Sequence, residues 1–297
     1  MTDFKQTMSD IADAVTEALD DLLKQTGGPE SQLLEAMRYS SLSGGKRVRP
    51  FLVVATADLF GVARERSLRA AAAIEMIHCY SLIHDDLPAM DNDYLRRGMP
   101  TLHIKFNEAT AILAGDALLT KAFEVLAAPE THSDAAVRAD LCLAFAKASG
   151  ERGMVGGQML DLIAEDKDLK FDLHNIIKLQ QMKTGKLISV SCEAGGLLGM
   201  ASLEAHSFLK AYSDDIGLAF QITDDLLDVE GSTEEVGKAT GKDEAAGKAT
   251  FVSLLGPSLA RDRANLLCTQ AVEHLDFFGE KAHLLNNLAR FIVRRKL

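Results

Sequence analysis

Apolar residues recur at helical spacing along most of this 297-residue chain. Ile11, Val15, Leu19 and Leu22 place an apolar side chain on one face at each turn, as an amphipathic helix requires. Proline is rare, and no stretch combines alternating polarity with a hairpin turn. The sequence therefore predicts an all-α protein without strands. Further helices are predicted at about residues 65–83, 105–127, 134–148, 171–184, 186–199, 203–229, 258–276 and 280–294.

The breaks between these helices are short glycine or proline turns, such as Gly27–Pro29 and Gly156-Gly157, and none is a long linker. With 47% hydrophobic residues, the chain can bury a large core without disulfides. We therefore expect one helical domain over residues 1–297.

The net charge of −11 argues against a nucleic-acid partner, which requires a basic face. The four cysteines have neither zinc nor dithiol spacing, so they are expected to be free thiols. No secretory leader and no apolar run of about 18 residues is found, which predicts a cytoplasmic protein without stable membrane insertion.

The first acidic cluster is Asp85-Asp86-Leu87-Pro88-Ala89-Met90-Asp91. Pro88 lacks an N–H and clashes with the carbonyl group of His84, so the preceding helix should end or kink here. Carboxylates at a helix C-terminus repel one another and oppose the helix dipole. A bound Mg²⁺ would offset both costs, and an acidic surface turn is the alternative.

The second cluster is Asp224-Asp225-Leu226-Leu227-Asp228, after an apolar helical stretch. Asp224 and Asp228 are one helical turn apart on one face, which is unfavourable without a counter-ion. We expect the two clusters to face each other and to hold a metal-bridged diphosphate.

Basic residues complement these acids. Gly44-Gly45-Lys46-Arg47-Val48-Arg49-Pro50 places cations at the start of a helix, where anions bind. Arg96-Arg97 and Lys183-Thr184-Gly185-Lys186 add two more groups. Residues 231–250, rich in glycine and lysine, are either a surface loop or a lid that brings lysines to an anion.

Together these motifs resemble the trans-isoprenyl diphosphate synthases, and within that family the bacterial farnesyl diphosphate synthases. The resemblance runs from about residue 30 to the end and includes Phe220-Gln221. It implies a single-domain helical bundle of the isoprenoid synthase type, with a deep central cavity and a homodimeric assembly. The implied reaction is head-to-tail condensation of isopentenyl diphosphate with dimethylallyl and then geranyl diphosphate, giving farnesyl diphosphate.

The resemblance also implies residue roles. A cluster of about three Mg²⁺ ions, or Mn²⁺ as a substitute, would bind Asp85, Asp86, Asp91, Asp224, Asp225 and Asp228. The allylic diphosphate would bind Arg96, Lys183, Lys238 and Lys248. Isopentenyl diphosphate would bind Lys46, Arg49, His78 and Arg97. The Lys183 carbonyl group, Thr184 and Gln221 would stabilise the allylic cation, and with Arg96 they form the predicted catalytic set.

Tyr80 lies five residues before Asp85, about 7.5 Å along a helix. In this family, an aromatic residue there, next to the small Ser81, is typical of synthases that stop at fifteen carbons. Ordinary core packing is the alternative for Tyr80.

The competing functions are a geranyl or geranylgeranyl diphosphate synthase, a terpene cyclase and a non-catalytic synthase subunit. The second acidic cluster argues against a cyclase, and two intact clusters argue against a non-catalytic subunit.

Overall fold

A computed structural model describes residues 2–24, 27–164, 171–230 and 250–294. Within these ranges the chain is predominantly helical, as the periodicity predicts. The structure has two compact units, Met1–Leu143 with Leu197–Met200, and Ala144–Gly196 with Ala201–Leu297. Each unit is described by itself. The expectation of one domain over 1–297 stays a prediction.

The first unit contains the N-terminal helices and a two-stranded hairpin. Its elements are α1 (Thr2–Leu22), α2 (Ser31–Ser41), α3 (Val48–Leu59), α4 (Arg64–Asp85), β1 (Leu95–Arg96), β2 (Met99–Pro100), α5 (Leu102–Lys105), α6 (Glu108–Ala127) and the start of α7 (Ala135–Ser149).

Helix α4 is the central element of this unit. Its run Ala70–Ile77 is almost wholly buried, and small alanines let neighbouring helices approach closely. The helix ends at Asp85, three residues before Pro88, as the lost N–H of proline predicts.

The hairpin corrects the expectation of no strands. Leu95 pairs with Pro100 and Arg96 with Met99, in antiparallel register. Each strand has two residues, which is too short for an alternating pattern to be recognised in the sequence. Gly98 and Arg97 both have positive φ, so they form the turn.

The second unit contains the remaining helices. Its elements are the end of α7, α8 (Met154–Ala164), α9 (Leu173–Gln180), a π-helical turn (Gln181–Gly185), α10 (Lys186–Leu198), α11 (Leu203–Glu230), α12 (Phe251–Leu255), α13 (Pro257–His274), a 3₁₀ segment (Leu275–Ala282) and α14 (His283–Arg294).

The long helix α11 runs through the core of this unit. Ala219, Ile222 and Leu226 pack with residues of α9, α12 and α13. Tyr212 is fully buried, and its hydroxyl group donates to the Leu285 carbonyl oxygen at 2.8 Å. This bond satisfies a polar atom that burial would otherwise leave without a partner.

Several predicted helix boundaries are wrong for local reasons. The predicted helix 105–127 begins at Glu108, because the Asn107 side chain accepts from the Thr110 N–H and caps it. The predicted helix 280–294 begins at His283, after a 3₁₀ segment in which Gly279 has a φ of 59°. The predicted helices 171–184 and 186–199 are joined by the π-helical turn instead of being separated by a break.

The four cysteines are free, as predicted, and Cys79, Cys192 and Cys268 are buried. Burial raises the pKa of the Cys79 thiol to about 12, so it is protonated and unreactive at neutral pH. In the described part of the chain, every helix is too short or too polar to cross a membrane.

Candidate active site

The carboxylates of the first acidic cluster differ in burial. Asp85 is half-buried at the end of α4, and the Asp91 N–H donates to the Asp85 carbonyl oxygen at 2.9 Å. This turn folds Asp91, which is exposed, back beside the helix end. Asp86 is only 3% exposed and accepts bonds at 2.8 Å from Arg96 Nε on each of its two oxygens.

The Asp86–Arg96 pair joins the end of α4 to the hairpin. Burial would lower the pKa of Arg96, but the hydrogen bonds and charge of Asp86 outweigh it and raise that pKa. A buried carboxylate held in this way also orients its neighbours. The structure thus pairs the buried Asp86 with Arg96 of the hairpin, while Asp85 is half-buried and Asp91 is exposed.

Cationic residues gather near α4 in the same unit. Arg49, in the first turn of α3, donates to His78 Nε2 of α4 at 3.4 Å. Desolvation, together with Arg49, Arg97, Arg96 and Arg47, lowers the pKa of His78 well below its usual range. The ring is therefore neutral at pH 7 and carries its proton on Nδ1, which leaves Nε2 free to accept.

The loop before α3 is held by a second arginine. Arg97 donates to the Gly44 carbonyl oxygen, and an added Cβ on Gly45 would lie 2.8 Å from the Arg97 guanidinium carbon. Gly45 has a φ of 123°, which favours glycine. Lys46 follows and is exposed. The predicted residues Lys46, Arg49, His78 and Arg97 thus belong to one neighbourhood.

The second acidic cluster lies near the end of α11, and its carboxylates also differ. Asp224 and Asp228 are half-buried and one turn apart. Asp225 is 7% exposed, and its Oδ2 accepts from the Phe251 N–H at 3.0 Å and from Gln180 Nε2 at 3.4 Å. Asp225 therefore satisfies the first amide of α12, while Asp224 and Asp228 lie elsewhere around the helix.

Lys183 and Thr184 lie in the π-helical turn Gln181–Gly185. Such turns are frequent at functional sites. The role predicted for the Lys183 carbonyl group stays a prediction.

Two close backbone approaches hold this turn. A Cβ on Gly157 of α8 would lie 2.2 Å from the Lys183 amide nitrogen, and one on Gly217 of α11 would lie 3.5 Å from Gly185 Cα. Gln221 follows Gly217 by one turn on the same face of α11. The predicted residues Lys183, Thr184 and Gln221 are thus brought together within the second unit.

Tyr80 is 7% exposed on α4, and its ring meets His84 edge-on with centroids 5.4 Å apart. Burial, with smaller effects from Asp85 and Asp116, raises the pKa of Tyr80, so its hydroxyl group stays protonated. Ser81 donates to the His78 carbonyl oxygen at 2.8 Å. The ring has the bulk and burial needed to form a floor below the growing prenyl tail, which is how Tyr80 would stop the product at fifteen carbons.

The exposed and half-buried carboxylates suit Mg²⁺. Among the described residues, no three acidic, histidine or cysteine side chains converge as a pre-formed metal cage. Mg²⁺ is bound by one or two carboxylates, with waters and substrate phosphates completing its shell. Asp85 with Asp91, and Asp224 with Asp228, are donor sets of this kind.

The described residues do not include every residue of the predicted site. Lys238 and Lys248 lie outside the described residues. The facing arrangement of the two acidic clusters, the central cavity and the ligand roles of Asp86 and Asp225 stay predictions.

Sequence reasoning missed two functional candidates. Asp161 of α8 accepts from Lys183 Nζ at 2.7 Å, and Glu75 of α4 pairs with Arg47. Asp161 follows Gly157 by one helical turn, a spacing that places both on one face. Glu75 had a signal as well, since it is an acid inside a run of apolar and small residues.

Comparison with known proteins finds relatives over nearly the whole chain. The farnesyl diphosphate synthase of Escherichia coli is 44% identical, covering 99% of both chains. The geranylgeranyl diphosphate synthase of Cyanophora paradoxa is 42% identical, covering 94% of this chain and 93% of its own. A crystal structure of an FPP/GFPP synthase from Zymomonas mobilis is 48% identical with a TM-score of 0.90, covering 98% of this chain and 99% of that one.

A sequence model of one family, described as polyprenyl synthetase, matches residues 30–276. The match includes both acidic clusters and the basic groups predicted from the sequence. The chain belongs to the polyprenyl synthetase family.

Proposed function

We propose that this protein condenses isopentenyl diphosphate with dimethylallyl diphosphate and then with geranyl diphosphate, giving farnesyl diphosphate and releasing diphosphate. The observation that carries this proposal is the arrangement along α4. His78, beside Arg49, lies about 10 Å before Asp85 on the same helix. Tyr80 is buried between them. One helix therefore offers an anion site, a metal site and a barrier to the growing tail.

The two diphosphates would use different residues. Lys46, Arg49, His78 and Arg97 suit isopentenyl diphosphate, because arginine binds phosphate oxygens in pairs. Arg96 and Lys183, with Lys238 and Lys248, suit the allylic diphosphate. Asp85, Asp91, Asp224 and Asp228 would hold Mg²⁺, with Mn²⁺ as a substitute. Bound there, the metal would supply positive charge to the departing diphosphate.

The chemistry begins with cleavage of the allylic C–O bond, and the departing diphosphate keeps the bonding electrons. Arg96 and Lys183 stabilise that charge as it develops. The Lys183 carbonyl group, Thr184 and Gln221 stabilise the carbocation. The double bond of isopentenyl diphosphate then attacks the cation, and loss of a proton to the released diphosphate forms the new double bond.

Besides the allylic diphosphate, Lys183 has a partner within the protein. Its ammonium group forms an ion pair with the Asp161 carboxylate, and this pair keeps the ammonium group near the π-helical turn. When an allylic diphosphate arrives, its oxygens compete with Asp161 for the same ammonium protons.

We further propose a homodimer acting in the cytoplasm, consistent with the family.

A product assay tests the proposed function. Purified protein with Mg²⁺, isopentenyl diphosphate and dimethylallyl diphosphate is expected to give farnesol as the main alcohol after dephosphorylation and chromatography. Geranylgeraniol or geraniol as the main alcohol would keep the reaction class and change the product. A cyclic hydrocarbon would identify a terpene cyclase, and no product from folded protein would indicate a non-catalytic subunit.

The floor role of Tyr80 predicts a change in product length. Replacing Tyr80 with alanine removes a ring that is 7% exposed, and the vacated space is expected to admit at least one more isoprene unit. Chromatography of the dephosphorylated products measures this. Tyr80→Phe keeps the ring and is expected to keep the wild-type product, whereas an unchanged product from Tyr80→Ala contradicts the floor role.

A further inference from the structure

Glu75 is a buried carboxylate in the middle of α4 that the proposed reaction does not use. Its side chain is 2% exposed, and it accepts a hydrogen bond from Arg47, whose side chain is 1% exposed. Removing two charges from water costs several kcal/mol for each ion, in order of magnitude, unless their geometry and further bonds compensate. Arg47 gains one such bond, because its Nη2 donates to the Ser41 carbonyl oxygen at 2.6 Å.

The ion pair between Arg47 and Glu75 lies where the backbone of Arg47 has an unusual conformation. Arg47 has a φ of 47° and is the residue just before α3, so the chain turns sharply between Lys46 and Arg49. A non-glycine residue in this region costs about 1–3 kcal/mol and persists only when its surroundings impose it. The bond to Glu75 is the buried contact that anchors the Arg47 side chain to α4.

Glu75 also lies near a second arginine. Arg97 Nη2 is 4.0 Å from Glu75 Oε1, and Arg97 also bonds the Gly44 carbonyl oxygen. Arg97 has a φ of 53°, so it too is held in an unusual conformation. One carboxylate thus lies between the loop before α3 and the hairpin.

The charges around this position explain why an acid is needed. Arg47, Arg49, Arg96 and Arg97 all act on His78, which is one turn along α4 from Glu75. Four arginines this close repel one another unless anions lie among them. The Asp86 carboxylate forms an ion pair with Arg96, and the Glu75 carboxylate forms ion pairs with Arg47 and Arg97.

We propose that Glu75 is a positioning residue for the isopentenyl diphosphate subsite: its buried carboxylate holds Arg47 and Arg97 and thereby orients Lys46, Arg49 and Arg97 for the substrate. Glu75 does not touch the substrate itself. This inference rests on the proposed function, because it assigns those cations to isopentenyl diphosphate.

The test is steady-state kinetics of Glu75→Gln in the full chain, with each substrate varied in turn. Glutamine keeps the shape and the acceptor oxygen but removes the charge. The KM for isopentenyl diphosphate is expected to rise about tenfold, while the KM for geranyl diphosphate changes less than about twofold. Glu35→Gln, at an exposed position on α2, is the matched control and is expected to leave both KM values unchanged.

A second variant separates positioning from stability. Arg47→Met with Glu75→Met replaces the buried pair by apolar side chains of similar volume, which often keeps or raises stability. We expect its thermal midpoint to stay near that of the wild type and its KM for isopentenyl diphosphate to remain raised. This variant decides the question if Glu75→Gln fails to fold.

Two results would overturn the inference. One is a lower thermal midpoint with both KM values unchanged, which indicates a purely structural pair. The other is an equal rise in both KM values, which indicates a general disturbance of the site. If the wild-type protein makes no prenyl product, the proposed function has failed instead, before Glu75 is tested.

Discussion

Replacing Asp224 with asparagine is expected to lower kcat by about three orders of magnitude and to leave the fold intact. The carboxamide has the same shape but loses the charge that a hard cation requires. A thousandfold loss corresponds to about 4 kcal/mol of transition-state stabilisation. Single-turnover kinetics with geranyl diphosphate measures the loss, and thermal unfolding checks the fold.

Asp214 provides a matched control on the same helix. It is exposed and pairs with Lys210 one turn earlier, so Asp214→Asn is expected to keep kcat and to cost at most about 0.5 kcal/mol of stability. Calorimetric titration with Mg²⁺ and a non-hydrolysable allylic diphosphate adds a second readout. Asp224→Asn should weaken the metal-dependent part of this binding. A kcat within a few-fold of the wild type would remove Asp224 from the metal site.

Replacing Gly157 with alanine is expected to lower both the stability of the protein and its activity. The new Cβ would lie 2.2 Å from the Lys183 amide nitrogen and 2.5 Å from Lys183 Cα, and both are main-chain atoms that no rotamer change can move. Helix α8 must therefore shift away from the π-helical turn. Overpacking of this kind costs about 3 kcal/mol.

The shift of α8 is also expected to lower the rate of catalysis. Asp161 is one turn after Gly157 on α8 and bonds Lys183 Nζ at 2.7 Å, so moving α8 displaces this partner and the turn that carries Thr184. A displacement of about 1 Å can cost about a hundredfold in rate. We therefore expect kcat/KM to fall about a hundredfold together with a lower thermal midpoint.

Gly27→Ala is the control for this change, because an added Cβ there meets nothing within 4 Å. It is expected to leave both the midpoint and kcat/KM unchanged. Wild-type values for Gly157→Ala would mean that α8 does not constrain the π-helical turn.

Much of the fold was predictable because the signals are local. Pro88 predicts the end of α4, and the spacing of apolar residues predicts most of the long helices. The shortest elements were not predictable. A strand of two residues cannot show alternation, and Gly185 in the π-helical turn gives the sequence signal of a break between two helices.

The acidic and basic candidates could be named from the sequence, but the hydrogen-bond partner of each carboxylate could not. Asp85 and Asp86 are equivalent in the sequence, as are Asp224 and Asp225. In the structure, Asp86 pairs with Arg96 of the hairpin, and Asp225 accepts from the amide of Phe251. These partners are 10 and 26 residues away, so no local pattern identifies them.

The sequence by itself determined the helical class, the acidic and basic motifs and the resemblance that joined them. Each of these depends on side-chain type and on spacing within one or two helical turns. Only the tertiary structure decided that Asp86 pairs with Arg96, that Asp161 holds Lys183, and that Glu75 lies between Arg47 and Arg97. The reason is physical: a buried charge must find its partner across the packed helices, and that choice depends on which segments the fold brings into contact.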